Sequence, residues 1–401
     1  MSSNTNTTDV RNCDQCGKAN AKSQCSRCKK AYYCGKECQK LAWKDHKKTC
    51  NKTPEAFSYT DKINEIEKVI ISDEGGRGIK HLVVPGDLIC AAETLARVRN
   101  TQAALRTRPE IAILTGFPCC VNHSPPTETD GLASVAIAKT CMELGYNVTL
   151  ITETCNESII RAAVDGIETR VYMPNRMHRD LPPMLQFDTH SKMKFCFVES
   201  PSLSSENESE LKGLMDKTDL IIACGRPGPS SDGNCYTMSG INMNENGLIA
   251  PLHNFISGTK GKGYGNQRKF IAIGDGGNEL GMGKVIDKIH EHIKDGEKIG
   301  AVATLDDKDL SADHLIAASV SNWGAYALIA AAVLVRASDS KDRNWIKHCL
   351  PTEEAETKLL HRCVEAGCRD GVSGENEATV DGMPLERSME CLREIRKIAR
   401  G

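Results

Sequence analysis

Eight potential metal ligands stand at fixed short spacings near the start of this chain: Cys13-x2-Cys16, Cys25-x2-Cys28, Cys34-x3-Cys38 and His46-x3-Cys50. No other stretch constrains its own fold so tightly. Two ligands two or three residues apart can reach one tetrahedral ion, and two such pairs complete its shell. Four pairs therefore predict two structural Zn2+ ions. A segment this short buries too little apolar surface to fold alone, so metal binding supplies much of its folding free energy. Scattered core thiols would rarely fall into four such pairs. The remaining cysteines are single, apart from Cys119-Cys120. That pattern fits a reducing compartment, cytosol or nucleus, rather than an extracellular disulfide framework.

Charge divides the chain at the same place. Residues 1–50 carry 11 Lys+Arg against 4 Asp+Glu, although the 401 residues together have a net charge of −2. The rest is acidic, so two modules with different partners are expected. The reading is a disordered segment over 1–12, a zinc module over 13–50, a linker over 51–60 and a larger domain over 61–401. No apolar run is long enough to span a bilayer, and Met1–Val10 is polar without arginine, so no leader is expected. The lysines of the zinc module form a basic face. A solvated or peptide-docking face is favoured there over a nucleic-acid contact.

From Ile111 onward, short apolar strands alternate with helices of about a dozen residues. Ile111–Leu114, Val148–Ile151, Thr169–Met173, Phe195–Val198, Leu220–Ala223 and Phe270–Ile273 read as strands. Leu132–Leu144, Glu157–Val164 and Glu206–Asp216 read as helices. Ala325–Val335 reads as a long apolar helix, and Pro384–Ala399 as an amphipathic one. This is the pattern of an α/β fold, a mostly parallel sheet with helices on both faces. Ligands in such folds sit outside the carboxyl ends of the strands. Those ends carry polar residues here, including Thr115, Glu128, Asp130, Glu153, Arg226, Asn234, Asp275, Asn278, Glu279 and Asn322. Asp130 also suits the N-cap of the helix that follows it. Phe270–Ile273 empties into Gly274-Asp275-Gly276-Gly277-Asn278-Glu279-Leu280-Gly281-Met282-Gly283. That loop fits neither the dinucleotide fingerprint nor the P-loop.

The Cys/His spacing, with Tyr32-Tyr33-Cys34 and Trp43-Lys44-x-His46, resembles the MYND-type zinc finger. The resemblance implies interleaved ligation, with Cys13, Cys16, Cys34 and Cys38 on one zinc and Cys25, Cys28, His46 and Cys50 on the other. It also implies a short basic helix over Gly35–Lys48 and docking of a proline-rich peptide from a partner protein.

The larger domain carries an ordered series of motifs. They are Leu114-Thr115-Gly116-Phe117-Pro118, Pro125-Pro126-Thr127-Glu128-Thr129-Asp130-Gly131, Gly225-Arg226-Pro227-Gly228, Asp232-Gly233-Asn234-x-Tyr236-x-Met238, the glycine loop, Ser321-Asn322-Trp323-Gly324-x-Tyr326-Ala327-Leu328 and Thr379-Val380-Asp381-Gly382-Met383-Pro384-Leu385. This series resembles the C-terminal domain of the D-glutamate cyclase family over about residues 60–400. The implied reaction interconverts D-glutamate and 5-oxo-D-proline plus water, and the implied small-molecule partner is an amino acid. The chemistry needs a base for the ammonium, donors for the oxyanion and an acid for the leaving oxygen. Asp275 and Glu279 are the first candidates for base and acid, and Glu128 and Asp130 the competing pair. Arg226 could fork onto a substrate carboxylate. Asn234 and Tyr236 could orient the substrate. Backbone N–H groups of Gly276, Gly277 and Asn278 and the helix start at Asn322 could hold a carboxylate or the oxyanion. The acid-rich rim could also take Mg2+. The alternative is an adaptor whose α/β domain only binds a small carboxylate or a protein.

Overall fold

The computed structural model describes residues 11–19, 21–26, 31–50, 59–98, 108–167, 193–256 and 268–401. The chain divides into two compact units, Met1–Ser58 and Tyr59–Gly401. In the first, Ser23–Gln24 pairs antiparallel with Tyr32–Tyr33, and one helix, α1, spans Lys36–Thr49. Its core is small: Cys13, Cys25, Ala31, Tyr33 and Cys50. The expected strand Thr169–Met173 lies outside the described residues.

The second unit holds a six-stranded parallel sheet. Its strands are β1 (Glu110–Leu114), β2 (Asn147–Glu153), β3 (Met193–Val198), β4 (Leu220–Cys224), β5 (Lys269–Gly274) and β6 (His314–Ala317). Their spatial order is 6-5-4-1-2-3, with every pairing parallel. Read from β3, this is the doubly wound order 3-2-1-4-5-6, whose ligand crevice opens where the order reverses, between β1 and β4. The central strands are buried on both faces and so read as continuous apolar runs rather than alternating ones.

Helices cover both faces. The helices that position the site are α2 (Tyr59–Ile70), α3 (Asp87–Ala96), α4 (Ser134–Glu143), α5 (Glu157–Val164), α6 (Ser205–Met215), α7 (Ile286–His292), α8 (Ser321–Ser340), α9 (Asn344–Cys349), α10 (Glu353–Glu365) and α11 (Leu385–Arg400). Ala112, Leu114, Ile221, Ala223, Phe270 and Ala272 turn to one face and pack with Leu211 and Met215 of α6 and Ile289 of α7. On the other face α8 lies so close that a Cβ on Gly324 would fall 2.5 Å from Ile273.

α8 is buried along nearly its whole length, and α2, α3, α4, α9 and α11 pack around it. A helix apolar on every side belongs inside a domain or a bilayer. Among the described residues no helix is long and apolar enough to cross a membrane. α9 and α10 are elements the sequence reading did not anticipate. Thr352 starts α10 by accepting a hydrogen bond from Ala355 N–H, a cap that is local but weak as a signal.

Candidate active site

Segments remote in sequence meet outside the carboxyl ends of β1, β4, β5 and β6. They enclose a cavity of about 380 Å3, within the range of small-molecule sites. At the switch point the packing is backbone on backbone. A Cβ on Gly225, just after β4, would lie 2.6 Å from Cα of Gly131. Both residues have positive φ, so glycine meets two demands here.

Asp130 arrives from the β1–α4 loop, but it does not cap the helix that follows it. α4 begins without a side-chain cap. Instead the two Asp130 carboxylate oxygens accept from Ser321 and Asn322 N–H, at 3.0 and 2.8 Å. These are free donors at the start of α8, where the helix dipole also favours an anion. Asn322 closes the clamp: its side chain accepts from Ala133 N–H at 2.8 Å and donates to the Thr129 carbonyl at 3.1 Å.

Asp275 follows β5. Its carboxylate accepts from Arg77 Nη1 at 2.6 Å and from Ser321 Oγ at 3.4 Å. Asp381 comes from a hairpin in which Val380 pairs with Met383, leaving Asp381-Gly382 as a two-residue loop. Both loop residues have positive φ, 54° and 74°, which is the turn that Asp-Gly favours. Asp381 Oδ1 forms an ion pair with Arg77 Nη2 at 2.9 Å. One oxygen each from Asp130, Asp275 and Asp381 lie within 4.8 Å of one another.

Arg77 stands between glycines in the segment joining α2 to α3. A Cβ on Gly78 would lie 2.7 Å from the His292 carbonyl, so glycine lets this segment pass against the end of α7. Asp73 N–H donates to Ser319 Oγ at 2.7 Å, which ties the same segment to the end of β6.

The cavity is acidic. Glu128, Asp130, Asp275, Glu279 and Asp381 line it, against Arg77 and Lys294. Burial, then the Asp381 charge, pushes Asp275 and Glu128 well above the usual carboxylate range. The same two causes push Asp130 up to about 7, against the pull of its backbone donors. Burial opposes the Arg77 charge, but Asp275 and Asp381 outweigh it and raise its pKa. Acids this close do not all ionise near neutral pH, so the cluster shares protons.

The other expected site residues divide. Glu128, Glu279 and Asn278 line the cavity. Glu279 Oε1 accepts from the N–H groups of Asp275 and Gly276, at 2.7 and 2.8 Å, so the Gly276 donor is already used by the loop. The Gly277 carbonyl accepts from Ala301 N–H at 2.9 Å, and its residue is not on the cavity wall. Asn278 Nδ2 donates to the Tyr236 carbonyl at 2.7 Å. Arg226 is off the wall altogether. It is buried, with Nη1 2.5 Å from Glu153 Oε2 and Nη2 donating to the Ala250 carbonyl at 3.0 Å. Asn234 and Tyr236 converge on Asp232, at 3.0 and 2.5 Å, also away from the lining. Asn322 sits in the clamp while its neighbour Ser321 lines the cavity.

Arg77 and Asp381 were absent from the expected set. The Asp-Gly turn within the quoted Thr379–Pro384 motif was the available signal for one, and an arginine isolated among glycines for the other. The three aspartates offer oxygens that suit a hard cation such as Mg2+. Arg77 already takes one oxygen from each of two of them, so part of the local charge is offset from within the chain.

In the first unit, the sulfur atoms of Cys13, Cys16, Cys34 and Cys38 form one cluster, and Cys25, His46 and Cys50 form another. Within these clusters Cys34 and Cys38 sulfurs are 3.2 Å apart, and His46 Nε2 is 3.4 Å from Cys25 sulfur. The interleaved grouping matches the tetrahedral donor set of zinc. Cys28 lies outside the described residues.

Residues 66–396 match the family model described as D-glutamate cyclase-like, C-terminal, and residues 13–50 match the MYND finger. Human mitochondrial D-glutamate cyclase is 30% identical over 358 residues, which is 83% of this chain and 51% of that protein. The chain thus spans about half the length of this relative. The finger is similar to Dauer abnormal formation protein 25 of Caenorhabditis elegans, 49% identical over 51 residues, 12% of this chain and 13% of that one. It is also similar to Arabidopsis thaliana histone-lysine N-methyltransferase ASHR1, 44% over 45 residues, 11% and 9% of the two chains.

Proposed function

This chain belongs to the D-glutamate cyclase-like family, and from that premise we propose that it interconverts D-glutamate and 5-oxo-D-proline plus water. The observation that carries the reading is the clustered trio Asp130, Asp275 and Asp381, with Arg77 forked onto two of its members at the switch-point cavity. In the forward direction the α-amine attacks the γ-carboxyl carbon, a C–N bond forms, and the γ-carbon loses an oxygen that leaves as water. One group must take the amine proton and another must protonate the leaving oxygen.

Acids whose environments push their pKa values apart suit such a division. Asp130, poised near neutrality, serves as the base. Asp275, whose pKa burial and the Asp381 charge push well above the usual carboxylate range, serves as the acid. Glu279 shapes the glycine loop beside them, and Glu128, pushed up by the same causes, adds a further acid to the wall. Closure of a five-membered ring depends on holding amine and carboxyl in one geometry, which groups fixed on the cavity wall enforce.

The test is to incubate the full chain with D- and L-glutamate and follow the loss of primary amine. Turnover of D-glutamate is expected, and Asp275→Asn should lower kcat by about 100-fold or more. A folded protein that consumes neither enantiomer would sink the assignment.

The finger is proposed to bind two Zn2+ ions and to dock a proline-rich peptide of a partner protein, with the chain working in cytosol or nucleus. Support for the second ion comes from the Cys25, His46 and Cys50 cluster. Metal analysis of the purified chain should give two zinc per chain.

A further inference from the structure

Two carboxylate oxygens on the cavity wall have no hydrogen-bond partner among the described residues, Asp381 Oδ2 and Glu279 Oε2. Both are buried. An unpaired, buried anionic acceptor costs a folded protein several times what a typical hydrogen bond returns. Such groups persist where a ligand completes them. Glu279 has its other oxygen committed to two backbone donors inside the glycine loop. Asp381 is the more informative of the two. Its side chain is only 5% exposed, and Arg77 grips Oδ1 alone. The Asp-Gly turn is itself tied down, because Gly382 N–H donates to Asp370 Oδ2 at 2.8 Å. Oδ2 is therefore an acceptor fixed in place and left open, beside two further aspartates.

We propose that Asp381, held by Arg77, is the acceptor for the ammonium group of the ligand, so that the cavity selects compounds with a free primary amine. An ammonium carries three donors and one positive charge, and it satisfies an orphaned carboxylate oxygen within an acid-rich wall. A ligand bearing only carboxylates would bring more negative charge to five acids faced by two bases. Lys294, the second cation of the lining and exposed, is left to meet a carboxylate of the same ligand. This inference rests on the cyclase reading for the identity of the amine but not for the amine subsite itself.

The test is thermal unfolding of the full chain with three probes at equal concentration: D-glutamate, glutarate, which lacks only the amine, and MgCl2. D-glutamate should raise Tm and glutarate should not. Asp381→Asn should abolish the D-glutamate shift, and in turnover assays should raise KM for D-glutamate about 10-fold or more. Asp381→Glu should restore part of both. Equal stabilisation by glutarate and D-glutamate in the unsubstituted chain would overturn the proposal without any variant. So would a shift with MgCl2 alone that disappears in Asp381→Asn, because the open acceptor would then belong to a metal. If D-glutamate binds through Asp381 but is never consumed, the amine subsite stands and the cyclase reading falls. If D-glutamate is consumed normally by Asp381→Asn with unchanged KM, the reverse holds.

Discussion

The two units of this chain reach order by opposite routes. Residues 13–50 have a core of five buried residues among those described and depend on ligands spaced for zinc. Residues 59–401 have α8, buried along most of twenty residues, and a sheet whose central strands are covered on both faces. The finger concentrates its stability in a few metal bonds, while the larger unit spreads it over many apolar contacts. Removing one kind of group should therefore be catastrophic in the first and graded in the second.

The largest effect should come from zinc. Structural zinc in finger peptides is worth about 10–16 kcal/mol at neutral pH. Chelation, or Cys34→Ser, should unfold residues 13–50, read as collapse of their amide NMR dispersion. The main urea transition, which reports residues 59–401, should stay where it is. A main transition that moved with zinc content would break the comparison.

Next comes the buried ion pair of the larger unit. Arg226→Met leaves Glu153 without its cationic partner at zero exposure, and it should cost about 3–5 kcal/mol in urea unfolding. Replacing both partners with apolar residues, Arg226→Met with Glu153→Leu, should recover most of that loss. Zinc content should not change in either variant. A loss below about 1 kcal/mol for the single variant would mean that the pair is hydrated rather than dry.

The smallest effect is a slope. Glu356 is buried, accepts from Tyr326 OH at 3.1 Å, and has its pKa pushed from 4.5 up to about 7, mainly by burial. The folded state thus holds this proton more tightly than the unfolded chain does. Its contribution is fully present below about pH 4.5, falls as pH rises towards 7, and is constant beyond. Glu356→Gln cannot titrate. The stability of the unsubstituted chain minus that of the variant should drop by roughly 3 kcal/mol across that window. A difference that stayed flat with pH would show that the carboxyl is already ionised at the lower end.

Much of the larger unit was legible locally. The strands Ile111–Leu114, Leu220–Ala223 and Phe270–Ile273 were recoverable because a strand buried on both faces is an apolar run. α8 was recoverable because its residues are apolar at every turn. The site was legible only in outline. The glycine loop pointed to the right edge of the sheet, and Asp130, Asp275, Glu128 and Glu279 do line the cavity. Arg226 looked like a substrate clamp because arginine after a strand is usually free to reach outward. Here Glu153, 73 residues earlier, claims it.

What the sequence determined alone are the features whose cause is local. Ligand spacing marked the finger, whose interleaved grouping was implied only by the resemblance to the MYND type, apolar runs and periodicity marked most strands and helices, and Asp-Gly favoured the turn that carries Asp381. Tertiary structure decided which polar groups meet. Asp130 finds its donors 191 and 192 residues away, and Arg77 finds Asp275 across 198. A polar side chain takes whichever partner the fold carries within about 3 Å. That choice is made by strand order, which brings β1, β4, β5 and β6 side by side and is encoded in no single stretch of the chain.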